Sequence, residues 1–245
     1  MTREGRLARD KFGYGMPVDA PLFAKPPIYY RYAETVSVTY ETDAEAVLDL
    51  LPEGLTLLEP ATAVLIFAKY PFSTLGAYEE TILCIPCIWN NEIKVYIPHI
   101  FVNNDMPQIA GREVWGYPKK IAKITINKEY DIIMGQMERP EGNLICTAGI
   151  RPETQAEEGQ KDIGILSLRI IPSPEEGAQP SVAELIEVPQ NIEVLESWSG
   201  PGWAKFHSNS VLDPLHKLTV KNVLSANYRI YHSILEYGKI IKKYI

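Results

Sequence analysis

The chain has 245 residues and a net charge of −7. This length can bury a substantial core within one domain. The acidic balance argues against partners such as nucleic acid or an anionic membrane surface, because proteins that bind them normally present a basic face. An anionic substrate is still compatible with this charge, since a local cationic pocket can lie inside an acidic protein.

The N-terminal segment MTREGRLARDKFGYGM contains basic residues but no apolar core, so it does not have the pattern of a signal peptide. No apolar run approaches the ~18 residues that are needed to span a bilayer. The chain has three cysteines, an odd number, which do not make a disulfide framework. We therefore expect a cytoplasmic protein that has no membrane partner.

Residues 1–30 contain four prolines and are predicted to form an extended arm. Such an arm usually lies on its own domain or on a neighbouring subunit. Residues 31–245 are predicted to form a single domain, because no internal repeat and no shift in composition marks a further boundary.

Apolar, β-branched runs predict strands along most of this domain. They lie at residues 35–40, 63–72, 80–89, 92–102 and 119–128, and then at DIIMGQM, NLICTAGI, IGILSLRII, VAELIEV and NIEVLESW. Within the fourth run, Pro98 suggests an edge or a bend. Short helices are predicted for AEAVLDLL, capped by Thr42 or Asp43, and for MPQIAGREVW, capped by Asp105.

From about Val220 to Tyr244 the apolar residues follow a spacing of 3.6 residues, which predicts a long C-terminal helix. Many strands and few helices together favour an α+β fold, built on a largely antiparallel and barrel-like sheet. The polar stretch RPETQAEEGQK, residues 151–161, is predicted to be a solvated loop.

The segment GREVWGYPKK, residues 111–120, joins a turn-prone GYP to Lys119 and Lys120 and then to an apolar strand. A lysine is a poor nucleophile at neutral pH because its ordinary pKa is about 10.4. Burial or a nearby cation lowers that pKa and makes the amine reactive. From spacing alone, a solvated strand start beside a turn is the simpler interpretation.

GREVWGYPKK resembles the active-site segment of acetoacetate decarboxylases, in which GRE is followed by YPKK. The resemblance extends, in order and spacing, to YGMPVDAPLFAKPP, TYETDAEAVLDLLPEGL, LGAYEE, ELIEV and ESWSGPG, and so covers most of the chain. It implies a homo-oligomeric enzyme with Lys119 and Lys120 among its catalytic residues: Lys119 forms an imine with a small-molecule keto acid, and Lys120 is its cationic neighbour. Activation of this lysine by loss of solvent or by an adjacent cation is a known property of the family.

The resemblance also implies that Glu80 lies in the active site and handles protons near the imine. Glu79 is its competitor, and a surface carboxylate is the simpler interpretation of either residue. Tyr117, from the YPKK motif, is a predicted substrate-binding residue.

Two positions depart from the family pattern. Ala33 stands where the family has an arginine that holds the substrate carboxylate, although the following Glu34 matches. Arg31 lies two residues earlier and would share a face with Ala33 in an extended strand, so we predict that it binds substrate; a surface arginine is the alternative. Leu65 replaces a second family acid. These departures affect the substrate more than the imine chemistry.

Side chains alternate along a strand, so Lys119 and Lys120 are expected to point to opposite faces. Loss of solvent would then be the main cause of a reactive Lys119, and Lys120 would serve structure. We interpret Arg112 and Glu113 as structural residues that pair with backbone or partner chains.

The remaining motifs do not indicate a cofactor. Cys84 and Cys87 form CIPC inside an apolar run, which favours buried thiols over a redox or zinc site. The four histidines have no paired spacing such as HExxH, and there is no GxGxxG. We predict no cofactor and no metal.

Three functions compete at this point. The first is an imine-forming decarboxylase of a 3-oxo acid, most simply acetoacetate, which would yield acetone and carbon dioxide. The second uses the same lysine for aldol condensation and dehydration with a 2-oxo acid such as pyruvate. The third is a non-catalytic binding protein that keeps the fold.

Overall fold

The computed structural model describes residues 2–156 and 163–245. The protein is mostly β-structure, with 52% of its residues in strands and 9% in helices, which corrects the α+β prediction. Within the described residues the α-helices are α1 (Ala44–Leu48) and α2 (Asp105–Ala110). No helix in this part of the chain is long and apolar enough to cross a membrane. Of the predicted solvated loop at 151–161, residues 157–161 lie outside the described residues, and within the described part Thr154–Gln155 forms a short strand.

The strands are, in chain order, β1 (Ile28–Glu41), β2 (Thr56–Leu57), β3 (Thr62–Tyr70), β4 (Phe72–Ser73), β5 (Tyr78–Trp89), β6 (Glu92–Val102), β7 (Lys119–Ile121), β8 (Lys123–Glu129), β9 (Ile132–Glu138), β10 (Leu144–Ile150), β11 (Thr154–Gln155), β12 (Ile165–Ile171), β13 (Val182–Val188), β14 (Asn191–Ser199), β15 (Gly202–Phe206), β16 (Asn222–Leu235) and β17 (Lys239–Lys243). Residues 2–27 precede β1 and contain a single 3-10 turn, Arg9–Lys11.

The larger of two sheets has the central order β14-β16-β1-β3-β5-β6-β12-β13. Its pairs are antiparallel except where β6 meets β12 and β7, so the expected largely antiparallel sheet is confirmed. Pro189 and Gln190 alone connect β13 to β14, at opposite ends of this order. Because so short a link spans only about 10 Å, the sheet must curl until these two strands approach each other.

The predicted long C-terminal helix is wrong, because that segment forms β16 and β17. β16 lies between β1 and β14 and pairs with both. Ala226 and Tyr228 are buried on one face of β16, whereas Asn227 and Arg229 lie on the other. Because polar residues lie on the face of β16 toward the cavity, the sequence does not show the alternation of apolar and polar residues that is typical of a strand. Pairing with the neighbouring strands outweighs the apparent helical spacing of the apolar residues.

The short helices and the bend agree with the sequence in part. The side chain of Asp43 accepts hydrogen bonds from the first turn of α1, as predicted. The cap of α2 is Asn104 rather than the expected Asp105. Around Pro98, β6 changes its partner from β12 to β7. Proline has no N–H to donate, and here it lies between the segments of β6 that pair with these two strands.

The smaller sheet has the order β15-β10-β9-β8 and packs on one face of the larger sheet. The core between the sheets includes Val36, Val38, Phe67, Ile124, Met137 and Ile145. The two sheets lie close together at Gly135 of β9, where an added Cβ would lie 2.1 Å from Cγ of Phe67. Only a glycine fits between these backbones without moving the aromatic ring.

We therefore expect Gly135→Ala to lower the free energy of unfolding by about 1–3 kcal/mol through overpacking. Urea titration followed by circular dichroism measures this change. Gly5→Ala is the matched control, because nothing lies within 4 Å of its added Cβ. Equal unfolding midpoints for the two variants would contradict close contact between the sheets at Gly135.

Candidate active site

The other face of the larger sheet curls around a cavity of about 730 Å³. Strands from both ends of the curled sheet line it, since residues of β13 and β14 contribute as well as residues of β3 and β5. Its described lining is mainly aliphatic and aromatic. The charged residues among these lining residues are Glu80, Lys119 and Arg229.

Lys119 and Glu80 meet on the wall of this cavity. Lys119 begins β7 and Glu80 lies near the start of β5, and Nζ is 2.6 Å from Oε2. Each side chain is only 5% exposed. Glu79, the competing acid, binds Asn103 instead. An amine and a carboxylate are thus held in contact where water is largely excluded.

Two tyrosine rings surround the amine. The Nζ of Lys119 lies 5.4 Å from the ring centre of Tyr78 and 5.9 Å from that of Tyr117. These distances permit cation–π attraction whenever the nitrogen carries a positive charge. Burial raises the pKa of both tyrosines, so their hydroxyls remain protonated at neutral pH.

Tyrosine hydroxyls extend this polar group along the cavity. Tyr70 Oη donates to Oε1 of Glu80 at 3.5 Å, and Tyr70 also shares a side-chain hydrogen bond with Tyr231. The hydroxyls of Tyr30 and Tyr78 are 3.2 Å apart. Burial raises the pKa of Tyr231 to about 12. The network is therefore neutral at physiological pH and can donate protons in hydrogen bonds to Glu80.

The GRE motif shapes the space for the lysine. An added Cβ at Gly111 would lie 2.8 Å from Cδ and Cε of Lys119, so this glycine makes room for the aliphatic stem. Arg112 Nη1 donates to the carbonyl oxygen of Lys119 at 3.3 Å, in agreement with its expected structural role. Sequence reasoning did not identify Gly111, although its place in the motif was the available signal.

Lys120 points away from Lys119, as strand alternation predicted. Its Nζ donates to the carbonyl oxygen of Leu212 and to Oδ1 of Asp213, the latter at 3.0 Å. Arg139 Nε also contacts Asp213, at 3.1 Å from Oδ2. The second ammonium of the motif therefore lies in an ion-pair cluster outside the lining of the cavity.

Arg31 does not line the cavity. Its Nη1 donates to the carbonyl oxygen of Tyr30, and its guanidinium lies 5.8 Å from the ring centre of Tyr29. Tyr32 has a φ of 53°, and the pairing of β1 with β16 shifts between Tyr30 and Ala33. This bulge breaks the two-residue alternation on which the prediction for Arg31 depended.

The two departures from the family pattern have structural consequences. Ala33 is the Cα partner of Tyr231, and its small side chain leaves space where Tyr231 and Tyr70 meet. Leu65 is buried in the core between the sheets, whereas its neighbours Val64 and Ile66 line the cavity. The cavity wall of β3 is thus apolar at Val64 and Ile66, next to Leu65, which does not itself line the cavity.

Arg229 is a cavity residue that sequence reasoning missed. It lies in a lateral row with Glu80, because Arg229 pairs with Thr35, Thr35 with Ala68, and Ala68 with Glu80. Its charge acts on Tyr231, whose raised pKa it partly lowers. The sequence analysis predicted a helix for this segment, and a helix does not show that Arg229 lies on the strand face that lines the cavity.

The cysteine thiols are buried and uncharged. Cys84, Cys87 and Cys146 are unpaired and buried. Burial raises the pKa of Cys84, on the cavity wall, to about 12, so it stays a neutral thiol. Across residues 2–156 and 163–245, no three His, Cys, Asp or Glu side chains are placed together to hold a metal ion.

A buried amine paired with a carboxylate, at a cavity large enough for a small molecule, is the arrangement of an enzyme active site. The family model described as acetoacetate decarboxylase (ADC) matches residues 15–245. The chain belongs to the acetoacetate decarboxylase family, and with it to the carboxy-lyases.

Relatives and solved structures agree with this assignment. The chain is 30% identical to Decarboxylase DEC1 of Cochliobolus heterostrophus, over 93% of this chain and 94% of that protein. It is 30% identical to acetoacetate decarboxylase 2 of Mesorhizobium japonicum, over 95% of this chain and 90% of that protein. The crystal structure of acetoacetate decarboxylase from Legionella pneumophila superposes with a TM-score of 0.88 at 25% identity, covering 100% and 98% of the two chains. The enduracididine biosynthesis enzyme MppR complexed with pyruvate shares the fold, with a TM-score of 0.83 at 19% identity and coverage of 96% and 99%.

The position of Lys120 can be tested through His99. Burial, and secondarily the charge of Lys120, lower the pKa of His99 from 6.5 to about 4, against an opposing effect of Asp213. Because the folded protein keeps His99 neutral, its contribution to stability falls as the pH drops from 6.5 towards 4. We expect Lys120→Met to raise the pKa of His99, as measured by NMR titration.

Lys123→Met is the control, since Lys123 pairs with Glu138 and Glu141 instead. An unchanged pKa of His99 in Lys120→Met would show that the ammonium of Lys120 does not lie on this outer face.

Proposed function

We propose that the protein is an imine-forming decarboxylase of a 3-oxo acid, with Lys119 as the nucleophile. The contact of 2.6 Å between Lys119 Nζ and Glu80 Oε2 carries this proposal. The pair supplies a primary amine and a group that accepts its proton, and the cavity beside the pair admits a keto acid.

The first half of the reaction uses the lysine–carboxylate pair. Glu80 Oε2 takes the proton from the ammonium of Lys119, which leaves a free amine. The amine attacks the ketone carbon, the carbonyl electron pair moves to oxygen, and that oxygen takes the proton back from Glu80. Loss of water then gives a protonated imine, whose nitrogen carries the positive charge.

The second half uses that charge as an electron sink. The bond to the carboxylate carbon breaks, its electron pair moves to the imine nitrogen, and carbon dioxide leaves. An apolar cavity favours this step because it removes charge, while the rings of Tyr78 and Tyr117 stabilise the cation that precedes it. Once Glu80 has regained a proton from solvent, it protonates the enamine carbon, and water hydrolyses the imine to release the ketone.

Lys120 takes a positioning role in this scheme. Its ammonium is engaged by Asp213 and Leu212, so burial of Lys119, rather than the charge of Lys120, is the proposed source of the reactive amine. The ion-pair cluster would fix the start of β7 and thereby the direction of Lys119.

Borohydride trapping tests the imine. We expect sodium borohydride with acetoacetate to add the mass of the reduced adduct to the peptide that contains Lys119, because hydride converts the imine into a stable amine. Mass spectrometry of the digested protein measures it. Lys119→Met should show no adduct, whereas Lys120→Met should keep it. Absence of any adduct on the folded wild-type protein would favour the non-catalytic alternative.

Aldol chemistry on the same lysine is the second candidate function. The observation that favours it is the aliphatic β3 wall at Val64 and Ile66, since Glu80 is the one acid among the described lining residues. MppR, which shares the fold, is complexed with pyruvate. Formation of a conjugated product from pyruvate and an aldehyde, without release of carbon dioxide from acetoacetate, would assign this reaction instead.

We propose Arg229 as the residue that binds the substrate carboxylate. A carboxylate that enters an apolar cavity needs a cationic partner. Lys119 and Arg229 are the cations of the described lining, and Lys119 must lose its charge to react. Arg229 thus takes the role that the resemblance gave to the position of Ala33 and that Arg31 is not placed to fill.

Arg229→Gln should lower kcat/KM for acetoacetate by about tenfold to a hundredfold, because a charged hydrogen bond to the substrate is lost. Steady-state release of carbon dioxide measures this. Arg31→Gln is the matched control and should have little effect. Borohydride trapping with acetone, which has no carboxylate, should be equal in both variants. A larger loss in Arg31→Gln than in Arg229→Gln would reverse the assignment.

We also propose a homo-oligomer in which the N-terminal arm contacts a neighbouring subunit. Leu7, Phe12 and Met16 of this arm are exposed, which leaves apolar surface for such a contact. The three unpaired cysteines support the proposed cytoplasmic location, since thiols stay reduced there.

A further inference from the structure

The cavity is much larger than a four-carbon acid requires. Cavities of about 300–1,000 Å³ hold ligands of drug-like size, and this one measures about 730 Å³. Resting on the proposed function, we infer that the substrate class is a 3-oxo acid whose ketone carries an uncharged apolar chain or ring several carbons longer than the methyl group of acetoacetate.

An isoleucine floor extends from the reactive lysine. Lys119 pairs with Ile100 of β6, Ile100 with Ile82 of β5, and Ile82 with Ile66 of β3. All three isoleucines line the cavity. A group attached to the ketone carbon at Lys119 can therefore lie against a continuous branched aliphatic surface.

An apolar wall stands beyond this floor. Val95 of β6 pairs with Ile165 of β12, and Ile165 pairs with Val188 of β13, and all three residues line the cavity. The isoleucine floor and the apolar wall belong to different parts of the curled sheet. The aliphatic surface thus extends well past the reach of a methyl group at the imine.

The charged residues Glu80 and Arg229 lie in a row next to the isoleucine floor, and that floor continues from Ile66 to the uncharged Ser37 and Asn227. Arg229, Thr35, Ala68 and Glu80 form one lateral row, beside the linked hydroxyls of Tyr70 and Tyr231. This row suits the carboxylate and the proton transfers, while the floor and wall offer nothing to a charge.

The positions of the charged residues favour an uncharged substituent on the substrate. None of the charged lining residues belongs to the isoleucine floor or the apolar wall. A second carboxylate or an ammonium on the chain would be buried there without a partner, which is strongly unfavourable. An uncharged hydrocarbon chain instead buries its surface against the floor and wall, which favours binding.

The test is a series of linear 3-oxo acids with four, six and eight carbons. We expect kcat/KM for carbon dioxide release to rise by about fourfold per added methylene until the cavity is full. Spontaneous decarboxylation is subtracted with Lys119→Met. A highest kcat/KM for acetoacetate would overturn the inference and leave the proposed function intact. No enzymatic release from any acid, together with no borohydride adduct, would instead overturn the proposed function.

A bulkier residue in the apolar wall tests where the apolar chain of the substrate lies. Val95→Phe should lower the ratio of kcat/KM for the eight-carbon acid to that for acetoacetate by at least about tenfold, because the larger ring occupies the space of the chain. Ile93→Phe is the control on the same strand, at an exposed position outside the cavity lining, and should keep the ratio. Val188→Phe replaces Val95→Phe if the latter does not fold. An unchanged ratio in a folded wall variant would contradict the placement of the chain.

Discussion

The buried contact between Lys119 and Glu80 is the constraint on which the active site depends. Removing two ionisable groups from water is unfavourable, so such a pair stabilises a protein poorly. Its surroundings show what holds it in place: Gly111 leaves space for the lysine stem, Arg112 binds the lysine carbonyl, and Tyr70 bonds to the carboxylate. These contacts orient the amine toward the cavity rather than toward solvent, which is the geometry that imine chemistry requires.

Two adjacent lysines have separate tasks because they lie on a strand. Lys119 faces the cavity, while Lys120 joins Asp213 in a cluster with Arg139 on the other side. The alternation of side chains forces this separation. A cation that is bound to a carboxylate on the far side of a sheet has little influence on the amine. Burial is therefore the better physical account of how Lys119 becomes nucleophilic in the proposed reaction.

Of the two departures from the family pattern, Ala33 lies in the buried cluster of the cavity tyrosines and Leu65 lies in the core between the sheets, and the reactive pair is present beside them. With alanine at position 33, Tyr70 and Tyr231 meet in the space beside it, and the cation of the wall is Arg229 on a different strand. Of the β3 side chains that line the cavity, Val64 and Ile66 are aliphatic and Tyr70 carries a hydroxyl. The amine and the acid are thus combined with a largely apolar cavity of about 730 Å³, which is why the proposed substrate differs from acetoacetate in its chain and not in its reacting carbons.

The sequence by itself determined the family, most of the strands, an α1 cap at Thr42 or Asp43 and the opposite directions of Lys119 and Lys120. These features follow from local chemistry and from a motif in its frame. The tertiary structure alone decided that residues 222–235 form a central strand, because pairing with β1 and β14 outweighs the helical spacing of the apolar residues. It also decided which arginine lines the cavity. A single bulge at Tyr32 directs Arg31 elsewhere, and the curl of the sheet brings Arg229 to the wall, since non-local pairing and not sequence spacing sets which faces meet.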